Sequence, residues 1–297
     1  MEKGPNVQLV QVIAFGVLLG GVYALLASGV TLIFGVLDVV NVAQGSFLVF
    51  SALFTWQIWD LLGLEPLLLV PVMGLMMFVI GWAIYRGLLV RVAPQGPGMT
   101  VLLMFGVAIA LEGVLNLVFG NEFKSVTPPY FTDSFKVGGI VIPLPQLISG
   151  VLAIVVLGGI YIYLKKSWAG RALRASAQNK DGAALVGISS IKASSLAFGI
   201  GAMTAGVGGV LLAIMYPVYP ATQYDWIARL LGIIVLGGMG SIPGAIIASM
   251  LLGISESIAS AYIPQWAPVF FYGAILVILL FRPHGLLGEK TREDVAA

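Results

Sequence analysis

The sequence contains no cysteine and a single histidine among its 297 residues. Without cysteine the chain forms no disulfide bond and no thiolate metal site, although the redox compartment stays undetermined. The lone histidine, His284, excludes an imidazole cluster that would bind a metal or relay protons. The sequence also shows no recognisable nucleophile–base arrangement, close carboxylate pair or H-E-x-x-H motif. We therefore expect a chain that is not an enzyme and that binds no metal or cofactor.

Charge is scarce as well. Charged residues make up 9% of the chain and hydrophobic residues 59%, whereas a soluble domain has roughly 25% charged residues. The mean hydropathy is +1.03. The formal net charge is only +2, and the basic residues are spread over several loops, which argues against nucleic acid as a partner. The composition thus indicates a membrane protein with the lipid bilayer as its solvent.

Long apolar runs predict an all-α fold, a polytopic transmembrane helical bundle of about eight or nine membrane segments. Several runs exceed the roughly 20 residues that cross a hydrocarbon core as a helix. The first run is too long for a signal peptide, so we expect it to be retained. We treat 1–297 as one transmembrane domain. The predicted spans are 8–36, 42–60, 66–90, 99–120, 140–164, 193–216, 243–262 and 266–281.

A shorter apolar piece, 226–239, would reach only about two-thirds of the way across the membrane core. It is either a re-entrant half-helix or one arm of a broken span. Whether this piece crosses the membrane decides whether the total number of crossings is even or odd. We favour an effective crossing, which places the amino terminus outside if the carboxyl terminus is cytoplasmic.

Positive charge predicts the orientation, because loops rich in Lys and Arg stay in the cytoplasm. Two external segments follow from it, 121–139 and 217–224, and their Pro and aromatic residues suit a rigid surface for an external partner. The basic clusters assigned to the cytoplasm are Arg86 with Arg91, the loop 165–192, and Arg282 with Lys290 and Arg292.

The loop 165–192 is the longest polar interruption of the sequence. It carries six Lys and Arg residues against one acid, Asp181, and holding the topology accounts for most of these charges. A helix-compatible segment runs from Asp181 to Ile188. A small and apolar face on that segment needs a partner to cover it. The residues of the face are Ala183, Ala184, Gly187 and Ile188.

Two polar or glycine-rich interruptions, 38–46 and 237–244, predict helix breaks. Transport proteins often place such breaks in corresponding parts of two halves, because unwound backbone faces only protein or a water-filled path. We predict that these residues line a solute path, whereas the alternative is tight helix packing through small residues. The candidates are Asn41, Gln44, Gly45, Ser46, Gly237, Gly238, Gly240 and Ser241.

Two acidic residues, Glu112 and Glu256, interrupt apolar runs, while Arg229 lies nearer the end of a segment. Ionisable residues at membrane depth usually face a cavity or a partner. Glu112 is a further candidate for the path, as a proton relay or ammonium site, with an interhelical hydrogen bond as the alternative. For Glu256 we expect a structural contact or a subunit interface.

No phosphate-binding motif is present. The nearest stretch is 285–291, where Glu289 stands in place of the glycine before the Walker lysine. A carboxylate at that position would repel phosphate. If transport is driven by ATP, we expect the ATPase to be a separate polypeptide.

Several short motifs carry a resemblance to a known family. The chain resembles, over essentially its whole length, the permease subunits of high-affinity branched-chain amino-acid ABC importers. No single motif is decisive, but their order and spacing together are specific. The matching stretches are GGVYAL at 20–25, NVAQG at 41–45, GRALRA at 170–175, ALVGI at 184–188, LGGMGSIPGA at 236–245 and RPHGLLG at 282–288.

The resemblance implies a machine in the bacterial inner membrane with several subunits. It pairs the chain with a second homologous permease, two cytoplasmic ATPase subunits and an extracytoplasmic solute-binding protein, and it implies alternating access. Asp181 to Ile188 then corresponds to the coupling helix that docks on the ATPase. Many relatives have histidine where this chain has Gln44, which keeps hydrogen bonding but cannot titrate.

Two alternatives stay open. The same machinery would also suit urea, a short amide or another small solute. A different class, an ion-coupled secondary transporter, would require a membrane-embedded titratable relay, for which the sequence offers only Glu112 and Glu256.

Overall fold

The computed structural model describes residues 5–137, 139–283 and 285–288. His284, Glu289, Lys290 and Arg292, discussed above, lie outside the described residues. One membrane-length helical run, Pro66–Gln95, contains a π turn at Tyr85–Leu89. The helices of the described part are α1 (Pro5–Leu37), α2 (Gln44–Leu62), α3 (Leu69–Ile84), α4 (Val90–Val92), α5 (Pro97–Phe119), α6 (Leu144–Lys166), α7 (Trp168–Gln178), α8 (Lys180–Leu185), α9 (Ser190–Met215), α10 (Gln223–Gly237), α11 (Ile242–Tyr262) and α12 (Ala267–Phe281).

Eight helices of the described part are long and apolar enough to cross a membrane. They coincide with the predicted spans to within a few residues, so the all-α polytopic fold is confirmed. The sequence did not predict one small feature, an antiparallel hairpin of β1 (Ser134–Val137) and β2 (Ile140–Pro143). Because β2 occupies 140–143, the predicted span 140–164 begins later, at Leu144.

The centre of the bundle is α9, whose most apolar window is 94% buried. Such a helix is hydrophobic on all sides because other helices surround it. Around it, glycines bring backbones together: a Cβ on Gly16 would lie 2.5 Å from the Cα of Ile254, and a Cβ on Gly253 would lie 2.6 Å from the carbonyl oxygen of Gly16. These contacts pack α1 against α11 in opposite directions, as expected of small residues in membrane helices.

The bundle has two ends, which we name by the elements they carry. At the loop end, α7 packs into an apolar cluster formed by Leu32, Leu164, Leu173 and Ala193. This cluster brings together the last turns of α1 and α6 and the first turn of α9.

At the hairpin end, the Val141 N–H donates to Gln11 Oε1 at 3.4 Å, which places the amino-terminal part of α1 beside β2. Lys124 and Val218 exchange two backbone hydrogen bonds of 2.9 and 2.8 Å, so the two segments predicted to be external are joined. Burial raises the pKa of the Tyr130 hydroxyl, and the neighbouring Glu65 carboxylate raises it further.

Helix α10 completes a ninth traverse of the bundle. The chain leaves α9 at the hairpin end, near Val218, and begins α11 at the loop end, where a Cβ on Gly240 would lie 3.7 Å from the Cα of Gly35. The 15 residues of α10 span about 22 Å of this distance, and the irregular segments on either side complete it. Helix α10 therefore runs between the two ends of the bundle, as the favoured effective crossing requires, and α1 begins at the opposite end from that at which α12 ends.

Candidate functional site

The first predicted helix break is present but shorter than expected. It covers residues 38–43, between α1 and α2. Asp38 has φ 60°, in the left-handed region, and its N–H donates to the Phe34 carbonyl at 2.8 Å. Helix resumes at Gln44, so Gln44, Gly45 and Ser46 lie in the first turn of α2 and not in the break itself.

Asn41 and Gln44 tie this break to the central helix. Both side chains are 1% exposed. Asn41 Nδ2 donates to Gln44 Oε1 at 3.0 Å, Gln44 Nε2 donates to the Gly201 carbonyl at 2.8 Å, and Asn41 Oδ1 accepts the Ala43 N–H at 3.1 Å. All four polar side-chain atoms of the pair therefore have partners within the chain, as buried polar groups require.

A second polar chain links α2, α10 and α5. Ser46 Oγ donates to Gln223 Oε1, and Gln223 Nε2 donates to Glu112 Oε2 at 2.7 Å. Tyr224 OH donates to the same carboxylate oxygen. Glu112 thus makes the interhelical hydrogen bonds that were the alternative to a relay. It is half-buried beside the exposed Tyr224, so one edge of this chain reaches the surface.

Gly45 serves a close contact rather than an open path. A Cβ at this position would lie 2.6 Å from the Gln223 carbonyl oxygen and 2.6 Å from Ile227 Cγ1. Such distances leave no room for a side chain, so Gly45 lets the start of α2 approach α10.

The second break, 238–241 between α10 and α11, is covered by the carboxyl-terminal segment. The Leu286 N–H donates to the Leu236 carbonyl at 2.8 Å, and the Leu287 N–H donates to the Gly237 carbonyl at 3.1 Å. The Gly237 carbonyl thus accepts a hydrogen bond from within the chain, while its place on a solute path stays a prediction. A Cβ on Gly238 would lie 2.3 Å from the Gly288 nitrogen.

The remaining candidates of the second break differ from one another. Ser241 is the N-cap of α11, and its Oγ accepts the Gly244 N–H at 3.2 Å. This capping role satisfies one backbone donor that the helix leaves free. Gly240 is exposed, with φ 85°, and its backbone lies beside Gly35 at the end of α1.

Glu256 belongs to an ionic cluster between three helices. Arg229 of α10 donates from Nη1 to Glu256 Oε1 of α11, and it donates to the Tyr23 hydroxyl of α1 at 2.8 Å. Tyr23 OH donates in turn to Glu256 Oε2 at 2.5 Å. The guanidinium also lies 5.3 Å from the centroid of the Phe271 ring. This is the structural contact expected for Glu256.

Sequence reasoning missed the two partners of Glu256. Arg229 stood out only as a charge near a segment end, although an arginine inside an apolar run needs a partner. Tyr23 carried no signal, because a tyrosine in a membrane helix is unremarkable until its hydroxyl finds a charge. Within the described ranges no three His, Cys, Asp or Glu side chains are placed to hold a metal ion.

The polar loop at the loop end contains two capped helices. Ser167 Oγ accepts the Gly170 N–H at 2.9 Å at the start of α7, and Asn179 Oδ1 accepts the Gly182 N–H at 2.9 Å at the start of α8. Gly187 follows the end of α8 at Leu185 by two residues, and its φ of 83° suits the left-handed residue that terminates a helix.

The exposed apolar surface of α8 differs from the predicted face. Ala183 is 4% exposed, so it packs against the chain, and Ile188 is half-buried. The two large apolar side chains that face outward are Leu185, 90% exposed, and Val186, 75% exposed. Of the predicted face, Ala184 and Gly187 are exposed, whereas Ala183 is buried and Ile188 is half-buried, so the exposed surface is corrected to include Leu185 and Val186.

Comparisons with known proteins place this geometry in a family. The model of the branched-chain amino acid transport system permease component matches residues 12–280. The high-affinity branched-chain amino acid transport system permease protein BraD of Pseudomonas aeruginosa is 31% identical, over 94% of this chain and 96% of its own. Escherichia coli (strain K12) has two proteins with the same descriptive name: LivH is 30% identical over the same shares, and LivM is 30% identical over 40% of this chain and 28% of its own.

No solved structure is similar enough to count as a match. The family match nevertheless covers most of the chain and most of its membrane helices. The chain therefore belongs to the family of branched-chain amino-acid transport permease components.

Proposed function

We propose that this chain is the membrane-spanning permease subunit of an ATP-binding-cassette importer in the bacterial inner membrane. It translocates branched-chain or related amino acids by alternating access. The relatives named above are permease proteins of branched-chain amino acid transport systems, which supports the solute class. The observation that carries the mechanism is the exposed apolar tip of α8.

Leu185 and Val186 are exposed on a short helix outside the membrane-length segments. Full burial of such a side chain contributes roughly 1.5–3 kcal/mol of favourable free energy. A complex in which a partner covers Leu185 and Val186 is therefore stabilised. The other side of α8 is anchored to the bundle through Ala183. A partner that binds the tip can therefore move the helices to which α8 is attached.

We assign this partner to a pair of cytoplasmic ATPase subunits. The sequence offers no phosphate-binding loop, so in an ATP-driven importer the ATP is hydrolysed by another polypeptide. This assignment makes the loop end cytoplasmic, in agreement with its basic residues, and it makes the carboxyl terminus cytoplasmic as well.

The remaining partners follow from the same proposal. Similarity to both LivH and LivM supports a second, homologous permease beside this chain. The surface at the hairpin end, where Lys124 and Val218 join two loops, is where we place the extracytoplasmic solute-binding protein. That protein supplies the affinity, so tight solute binding is not required of the permease.

We place the solute path along α10. The candidates near it are Asn41, Gln44 and Ser46 with Glu112, and their contacts above hold α2, α5, α9 and α10 together. The half-buried Glu112 beside the exposed Tyr224 is the polar edge that a zwitterionic solute would meet first.

The test isolates the complex through a tag on this subunit and measures ATP hydrolysis and leucine uptake in proteoliposomes. We expect ATP-dependent, vanadate-sensitive uptake that competing branched-chain amino acids inhibit. Leu185→Glu should abolish leucine-stimulated hydrolysis while the subunit stays inserted in the membrane. Gln178→Glu is the matched control, because it adds the same charge to the same loop away from the tip of α8.

Two outcomes would contradict the proposal. Uptake by this subunit alone, driven by an ion gradient and insensitive to vanadate, would identify a secondary transporter. Equal stimulation of the Leu185→Glu and wild-type complexes would remove α8 as the docking site. Competition by urea or amides, with none from leucine, would change the solute while keeping the machinery.

A further inference from the structure

An ion pair connects α8 to the end of α1. Lys180, the first residue of α8, places Nζ 3.2 Å from Asp38 Oδ2 and donates to the Leu37 carbonyl at 3.4 Å. Asp38 is the residue that follows α1, and in the described part of the chain it is the non-glycine residue with positive φ. Lys180 thus holds both the last carbonyl of α1 and the first residue of the break.

This arrangement suits the electrostatics of a helix end. The last carbonyls of a helix carry partial negative charge, so a cation beside them is favourable. Aspartate tolerates the left-handed conformation better than most residues, and its carboxylate adds a second acceptor. The contact is local in space but joins residues far apart in the sequence.

The first break begins at this contact. Asp38 is followed by Asn41 and Gln44, whose amide groups bind one another and the Gly201 carbonyl of α9. Displacement of Asp38 therefore acts on a short irregular segment whose other end is fixed to the central helix. Such segments absorb backbone rotation when helices move.

The second break lies next to the same helix end. Gly240 is in backbone contact range of Gly35, in the last turn of α1. The two interruptions predicted from the sequence therefore meet at the end of α1, and Lys180 connects that end to α8.

We propose that Lys180 and Asp38 are a positioning pair that transmits movement of α8 to both helix breaks. This role rests on the proposed function, because it requires a partner that moves α8. The pair is exposed, with 47% of the Lys180 side chain and 74% of the Asp38 side chain accessible. Exposed pairs contribute little, so its loss should change coupling by about two- to fivefold.

The experiment is a double-mutant cycle in the reconstituted complex. Lys180→Gln removes the cation, and Asp38→Asn removes the carboxylate charge while keeping a residue that tolerates positive φ. Lys192→Gln is the matched control, because Lys192 is an exposed lysine of the same loop that takes part in none of the ion pairs of the described residues. Basal hydrolysis, leucine-stimulated hydrolysis, thermal stability and leucine transported per ATP are measured for each variant.

Each single variant should lower stimulated hydrolysis and leucine per ATP by about two- to fivefold, with basal hydrolysis and thermal stability unchanged. The double variant should be no worse than the more affected single variant, because both changes remove one interaction. Lys180→Arg should retain coupling, and so should Lys192→Gln.

Additive losses in the double variant, or full coupling in either single variant, would overturn the proposal. An equal loss in Lys192→Gln would assign the effect to the charge of the loop. A wild-type complex without leucine-stimulated hydrolysis would instead contradict the proposed function, so the two failures are distinguishable.

Discussion

Arg229 shows how a single charged residue is tolerated within the bundle. Its guanidinium has a carboxylate, a hydroxyl and an aromatic ring as neighbours, each from a different helix. Its side chain is 22% exposed and that of Glu256 is 12% exposed. A charge in this setting depends on its partner, since an unpaired ion in low dielectric is strongly unfavourable.

The ion pair predicts an unequal mutant series. Glu256→Leu leaves Arg229 without its carboxylate and should destabilise the protein by about 3 kcal/mol. The double variant Arg229→Met/Glu256→Leu should be less destabilised than Glu256→Leu alone, because no uncompensated charge remains. Thermal unfolding of the purified protein in detergent measures both. A double variant as unstable as the sum of the two single variants would show that the pair is not the interaction that matters.

Glu112 predicts a second contrast. Glu112→Gln keeps an oxygen that accepts from Gln223 and Tyr224, so transport should persist if hydrogen bonding is its role. Glu112→Leu leaves the buried Gln223 donor unpaired and should lower stability by about 1–3 kcal/mol. Loss of leucine uptake in Glu112→Gln, with stability preserved, would instead indicate that the carboxylate charge acts on a proton or an ammonium group.

The sequence identified these acidic residues but not their surroundings. Glu112 and Glu256 stand out because charge is rare in apolar runs. Their partners Tyr23, Gln223 and Tyr224 are ordinary residues at a distance along the chain, and only the packing of helices brings them together. Asn41 and Gln44 were predicted as path candidates because they interrupt an apolar sequence with polar side chains. The hydrogen bond between these two side chains was not predicted.

Among the elements, α1 and α11 approach closely at glycine. A Cβ on Gly16 would meet the backbone of Ile254 at 2.5 Å, whereas a Cβ on Gly113 of α5 would meet nothing within 4 Å. Both glycines lie inside membrane-length helices, which makes them a matched pair.

This difference predicts that Gly16→Ala destabilises the protein by about 1–3 kcal/mol through overpacking, while Gly113→Ala does not. Thermal unfolding in detergent, with size-exclusion profiles for assembly, measures the effect. Equal stability of the two variants would mean that α1 and α11 separate at little cost.

Periodicity and run length predicted the long helices well, because twenty apolar residues have few other stable arrangements in lipid. They failed where a short element is fixed by tertiary contacts. The β1–β2 hairpin forms between Asp133 and Leu144, where we predicted an external segment followed directly by a membrane span. The inward orientation of Ala183 depends on how α8 rests on α9, and no local pattern encodes it.

At the scale of the whole molecule, nine traverses in the described part of the chain place the start of α1 and the end of α12 at opposite ends of the bundle. The sequence predicted this odd number of crossings from the basic loops and from the short α10, for which a full crossing was one of two options. The structure adds the reason: α9 ends where Lys124 meets Val218, and α11 begins beside Gly35.

This topology is open to a direct test, because the chain has no cysteine that would have to be removed first. Asp133→Cys in whole cells should react with a membrane-impermeant maleimide from outside. Met239→Cys, at an exposed position that follows α10, should react only after the membrane is opened. Labelling of both from the same side would contradict the nine-traverse arrangement.

The contact between 286–287 and the end of α10 bears on the order in which the protein is assembled. The donors for the Leu236 and Gly237 carbonyls are synthesised about fifty residues after the acceptors and lie among the last described residues. Until these residues have left the ribosome, the end of α10 lacks these two hydrogen bonds. Loss of 286–288 would therefore leave two backbone carbonyls at the end of α10 without the N–H donors that the folded chain supplies.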